Sequence, residues 1–185
     1  ALRVSMFDVA LVAFLRGVNV GGHRTFRPTV LARALASYDV VNIGAAGTFV
    51  VRKPGARAAF RAALLRALPF DTEVMLCDAR DLARIVAKNP FGAGPRPPDV
   101  VWFVSILSRP VRPRVELPAA FPSDDEWLVR VVASEGPFVF GMYRRAPKTI
   151  RYLGEIDKVF DVSATTRNWN TILAVARVLR GRPGL

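Results

Sequence analysis

Two short segments concentrate residue types that can hold an anion. T-T-R-N-W-N-T (Thr165 to Thr171) reads as a helix entrance. There Thr165 or Thr166 would cap, and the first-turn N–H groups, with Arg167 and the amides of Asn168 and Asn170, would receive a phosphate or carboxylate. Far upstream, an apolar run ends in R-G-V-N-V-G-G (Arg16 to Gly22). Its glycines, Gly17, Gly21 and Gly22, permit positive φ and close approach of a ligand to exposed amides, flanked by Arg16 and Asn19. The spacing matches neither G-x-G-x-x-G nor the P-loop, so P-loop nucleotide hydrolysis has no support. His23 follows directly, and its imidazole is the one candidate general acid or base.

Three readings follow. In the first, the chain is a non-enzymatic binding module for an anionic ligand, nucleic acid among the candidates, held by Arg16, Asn19, Gly21, Gly22, Thr166, Arg167, Asn168 and Asn170. In the second it is an enzyme on a small phosphorylated or carboxylated substrate, with His23 as the acid or base and Arg16 and Arg167 as electrostatic clamps. The third makes both segments structural and the protein an interaction domain. There the threonines only cap, Trp169 joins Ile172, Leu173, Ala176 and Leu179 on a buried stripe, and the two arginines pair with internal carboxylates or carbonyls.

Composition narrows the chemistry. Cys77 and His23 are single in 185 residues. That excludes an intramolecular disulfide, multi-cysteine zinc or iron–sulfur sites and two-histidine metal sites, so no metal and no cofactor is expected. The formal charge is +12, and all but four of the 27 basic residues are arginine, the better side chain for bidentate phosphate contacts. Such a balance attracts polyanions, although an arginine-rich, lysine-poor composition arises equally from genome-wide bias. Arg109, Arg112 and Arg114, and Arg144, Arg145, Lys148 and Arg151, form basic clusters. Phe138 and Phe140 alternate as either stacking faces or the inward side of a strand. The run Val9 to Leu15 falls short of the ~20 apolar residues of a membrane span, which points to a cytoplasmic protein with no membrane partner.

The elements that must position these residues follow from periodicity. An apolar strand within Phe7 to Val20 leads to a helix at Pro28 to Tyr38. A hairpin comes next, with strands Val40 to Ile43 and Thr48 to Lys53, then a helix at Ala56 to Leu68 and a strand at Glu73 to Cys77. That order is a ferredoxin-like plait. Asp78 caps a third helix, and Pro90 to Pro98 is a proline- and glycine-rich connector. Val100 to Leu107 is a strand, Arg109 to Pro122 a proline-broken loop, and Trp127 to Ala133 with Phe138 to Tyr143 a second hairpin. Thr149 to Phe160 is a weak helix before the last one. The fold class expected is therefore α+β: two ferredoxin-like (plait) subdomains, residues 1–89 and a diverged 90–185, with antiparallel sheets, helices on one face, and one compact unit.

F-L-R-G-V-N-V-G-G-H (Phe14 to His23), N-P-F (Asn89 to Phe91) and A-T-T-R-N-W-N-T (Ala164 to Thr171) together make the chain resemble a bacterial family catalogued as domain of unknown function 1697. The resemblance implies an α+β fold of two ferredoxin-like subdomains and no established activity. Where that family carries a Q-S-G-N-like turn, this chain has A-A-G-T (Ala45 to Thr48). Where the family carries a Ser-Lys pair, this chain has Lys148-Thr149.

Overall fold

The computed structural model describes residues 9–19 and 22–181. The chain is α+β, with a four-stranded and a five-stranded antiparallel sheet. It divides into two units, Ala1–Lys88 with Thr171–Leu185, and Asn89–Asn170. Among the described residues no helix is long and apolar enough to cross a membrane.

In the first unit β1 (Leu11–Leu15) leads through a loop to α1 (Pro28–Ala34), a 3-10 turn (Ala36–Tyr38), β2 (Val40–Asn42) and β3 (Thr48–Val51). Helix α2 (Arg57–Ala67), β4 (Val74–Asp78) and α3 (Ala79–Lys88) complete it. The sheet runs β2-β3-β1-β4 with every neighbour antiparallel, the strand order of a plait. Alternation assigns its faces. Leu11, Ala13 and Leu15 share a side with Phe49 and Val51, and there Leu31, Leu35, Phe60 and Leu64 close the core. Val12, Phe14, Val50 and Cys77, on the other side, are buried as well. With both faces dry, β1 reads as an unbroken apolar run, not an alternating one.

Strand β4 lies at an edge, where Val74 and Leu76 turn carbonyls outward. Arg61 donates to the Val74 carbonyl at 2.6 Å. Arg57, one helical turn earlier, donates to the Leu76 carbonyl and to Asp78 Oδ1, the latter at 2.8 Å. Two of the many arginines thus blunt an exposed sheet edge.

The second unit contains β5 (Val100–Leu107), β6 (Ala119–Phe121), β7 (Val129–Glu135), β8 (Phe138–Arg144), α4 (Thr149–Leu153), α5 (Glu155–Phe160) and β9 (Ala164–Asn168), where α6 (Trp169–Leu179) begins. Its sheet order, β6-β7-β8-β5-β9, repeats the first once β6 is set aside. Strands β5, β7, β8 and β9 occupy the places of β1, β2, β3 and β4, and the α4–α5 pair that of α2. No helix joins β5 to β7. Phe103, Val129, Val131 and Val139 meet Ile156, Val159 and Phe160 on one face, and Val111, Leu117 and Phe121 pack against that same cluster. Two sequence expectations change here. The loop Arg109 to Pro122 contains strand β6, and the helix Thr149 to Phe160 breaks at Gly154.

Candidate anion-binding loops

At the carboxyl end of β1 the chain leaves the sheet into the Arg16 loop, which is held by specific bonds. Arg16 N–H donates to the Glu73 carbonyl at 3.0 Å, and Thr72 Oγ1 donates to the Arg16 carbonyl at 2.6 Å. The turn then requires left-handed backbone at Gly17, Asn19, Gly22 and Arg24. Asn19 is the pin: its Nδ2 donates to the Ala45 carbonyl at 2.8 Å, and its Oδ1 accepts from Phe26 N–H at 3.0 Å. An asparagine suits this place because it tolerates positive φ and offers a donor and an acceptor together. Phe26 anchors the far end against Phe49 and Phe70, with ring centroids 6.4 and 5.9 Å away.

The β2–β3 turn lies beside this loop. Leu15 N–H donates to the Gly47 carbonyl at 2.8 Å, and Gly47 has φ +70°. A Cβ there would stand 2.7 Å from Val18 Cγ2 and 2.8 Å from Leu15 Cβ, so glycine is needed for both conformation and space. Although A-A-G-T departs from the Q-S-G-N-like turn, the contact it makes with Asn19 uses a backbone carbonyl.

On this frame Arg16 is half-exposed and forms an ion pair with Glu73 at 3.4 Å. His23 and Arg24 are exposed. Gly21 lies outside the described residues. Asn19 is thus primarily a fastener, and His23 stands in the open, unlike the closed pocket that an enzymatic role for it calls for. Among the described residues no group of three or more His, Cys, Asp or Glu side chains could hold a metal ion.

The C-terminal motif is built differently from the helix entrance expected. Thr165, Thr166, Arg167 and Asn168 belong to β9, paired antiparallel with β5, and the helix begins only at Trp169. Neither threonine can therefore cap it. Thr166 Oγ1 instead shares a 2.6 Å hydrogen bond with Ser105 Oγ. Arg167 is 6% exposed, and its guanidinium donates to Thr165 Oγ1 at 2.8 Å and the Thr166 carbonyl at 2.9 Å. Burial pulls its pKa down to about 10. Asn168 and Asn170 are exposed, and Trp169 is buried.

N-P-F also has a structural role. Asn89, at φ +44°, donates from Nδ2 to the Gly92 carbonyl at 2.8 Å. The tight turn sets the Phe91 ring parallel to Trp102, 5.0 Å away, and edge-on to Phe140 and Trp169. Phe138 and Phe140 are buried, hence inward. Sequence reading passed over Trp102 and Trp127, although both stand within a few residues of arginines.

In overall fold the protein is similar to the conserved bacterial protein SP0830 from Streptococcus pneumoniae. The TM-score is 0.56 at 13% identity, over 92% of this chain and 98% of that one. No curated protein matches the chain. The model of the family described as a protein of unknown function, DUF1697, matches residues 9–130, and with two thirds of its length so matched the chain belongs to that family.

Proposed function

We propose that the protein is a non-enzymatic binding module for an anionic ligand carrying a phosphate or carboxylate, received at the loop from Arg16 to Arg24. The observation that carries this reading is the bracing of the loop. Asn19, Thr72 and the Gly47 turn hold its backbone, while Arg16, His23 and Arg24 stay at the surface. A preorganised cationic loop binds without first paying an ordering penalty. The ion pair between Arg16 and Glu73 is no obstacle, because a half-exposed pair contributes about 0–1 kcal/mol and exchanges readily for an incoming anion. In the C-terminal motif Thr166 and Arg167 serve the fold by fixing β9.

Titration with inorganic phosphate and with citrate, followed by amide chemical shifts, tests this. Shifts concentrated between Arg16 and Phe26, abolished by Arg16→Gln with Arg24→Gln and blurred by Asn19→Ala, are expected. Shifts spread evenly over the basic surface would sink the reading.

A further inference from the structure

In the second unit the sheet face turned away from α4 and α5 carries an aromatic and cationic strip. Cross-strand register places Trp102 of β5 opposite Met142 of β8, and Met142 opposite Arg130 of β7. The three side chains lie in a row on one face. Arg144, two residues along β8, joins them. All four are partly exposed, so the strip meets solvent although Val104, Ile106, Phe138 and Phe140 of the same face are buried.

At one end Phe91 stacks on Trp102 with rings 7° from parallel, and the Arg96 guanidinium carbon stands 5.8 Å from the indole centroid. Arg96 belongs to an exposed proline- and glycine-rich loop. At the other end Arg130 and Arg144 converge on Trp127, their guanidinium carbons 4.9 and 4.4 Å from its centroid. Arg144 Nε is buried without a hydrogen-bond partner and forms a long ion pair with Asp99 Oδ2 at 4.0 Å.

Two guanidiniums gathered beside one indole concentrate positive charge, which attracts an anion. The partly exposed Phe91–Trp102 stack supplies a flat apolar surface at one end of the row, so the fitting ligand carries both negative charge and planar rings. We infer that this strip is a binding platform for single-stranded nucleic acid, with a base stacking at the Phe91–Trp102 end and phosphates held by Arg96, Arg130 and Arg144. A central-strand aromatic on the sheet face opposite the helices is a geometry in which a plait reads unpaired bases. Duplex is a poor fit, because its bases are already stacked on one another. The inference does not rest on the reading given for the Arg16 loop.

The test is binding of fluorescent single strands of about ten nucleotides, a length within the usual site size of such platforms. The double variant Arg130→Gln, Arg144→Gln is compared with a charge-matched control, Arg109→Gln, Arg112→Gln, whose residues are exposed in the proline-rich segment. The platform variant should lower the log–log salt slope by about 1.4, the loss expected for two single-strand phosphate contacts. Trp102→Leu should weaken binding about tenfold through lost stacking, and Trp102→Phe should restore most of it. Arg16→Gln should change affinity no more than the control does. Equal losses in platform and control variants would reduce the strip to generic surface charge and overturn the inference, as would absence of binding at ~50 mM salt or equal affinity for duplex. If Trp102→Leu fails to fold, the arginine pair alone decides.

Discussion

The two sheets share a strand order but differ in the route from first strand to second. Between Leu15 and Val40 the chain makes a braced loop and helix α1; between Leu107 and Val129 it makes strand β6 and no helix. Pro28 starts α1 at a position where its missing N–H is harmless, and Leu31 and Leu35 then fall on one face. In the second unit Pro110, Pro113, Pro118 and Pro122 recur every three to five residues. Each removes a donor and holds the preceding residue extended. The segment stays open, Ala119–Phe121 adds to the sheet edge, and Val111, Leu117 and Phe121 cover core that a helix would otherwise shield. The crossover helix is thus dispensable in this topology provided other apolar side chains dry the same face. The first route leaves a cationic loop at a sheet end. The second helps make a wider sheet with an arginine–tryptophan strip.

Substitutions aimed at one unit at a time can break this comparison. All three tryptophans lie in the second unit, so their fluorescence reports it. Cys77 is buried in β4, where desolvation pushes its thiol up to about 12, so alkylation at pH 8 reports unfolding of the first. The largest effect is expected from Gly141→Ala. A Cβ there would stand 2.4 Å from Phe103 Cζ and 2.5 Å from the Arg130 carbonyl, a clash of about 3 kcal/mol. In urea the tryptophan transition should shift first; a parallel shift in Cys77 alkylation would show that the units unfold together.

Gly47→Ala should cost about 2 kcal/mol, from positive φ and contact with Val18 and Leu15, and should advance Cys77 alkylation ahead of the tryptophan transition. The smallest change in stability, under about 1 kcal/mol, is expected from Arg57→Ala with Arg61→Ala. That pair should instead raise self-association in light scattering, since it uncovers the β4 edge. An unchanged scattering profile would mean that the edge is protected without them.

Much of this architecture was legible locally. The element order of the first unit follows from local pattern: its helices bury one face and so repeat at helical spacing, and β1, buried on both faces, is a continuous apolar run. A single cysteine and a single histidine likewise restrict the chemistry. The functional segments were less legible, for a physical reason. Thr165 to Asn168 carries the polar donors of a helix entrance, yet its backbone partner is Phe103 to Leu107, some sixty residues earlier. Pairing with an open strand across that distance outweighs the local preference, and it is what buries Arg167. Asn19 looked like a ligand contact because its role depends on Ala45 and Phe26, which only folding brings to it. Arg144 reaches Trp127 in the same way, from β8, whereas Arg96 and Arg130 are near neighbours of their tryptophans along the chain. Composition and periodicity determined which elements form, since those depend on near neighbours. Tertiary structure decided which arginines serve the fold and which stay available to a ligand, because that depends on partners the chain reaches only when the sheets close.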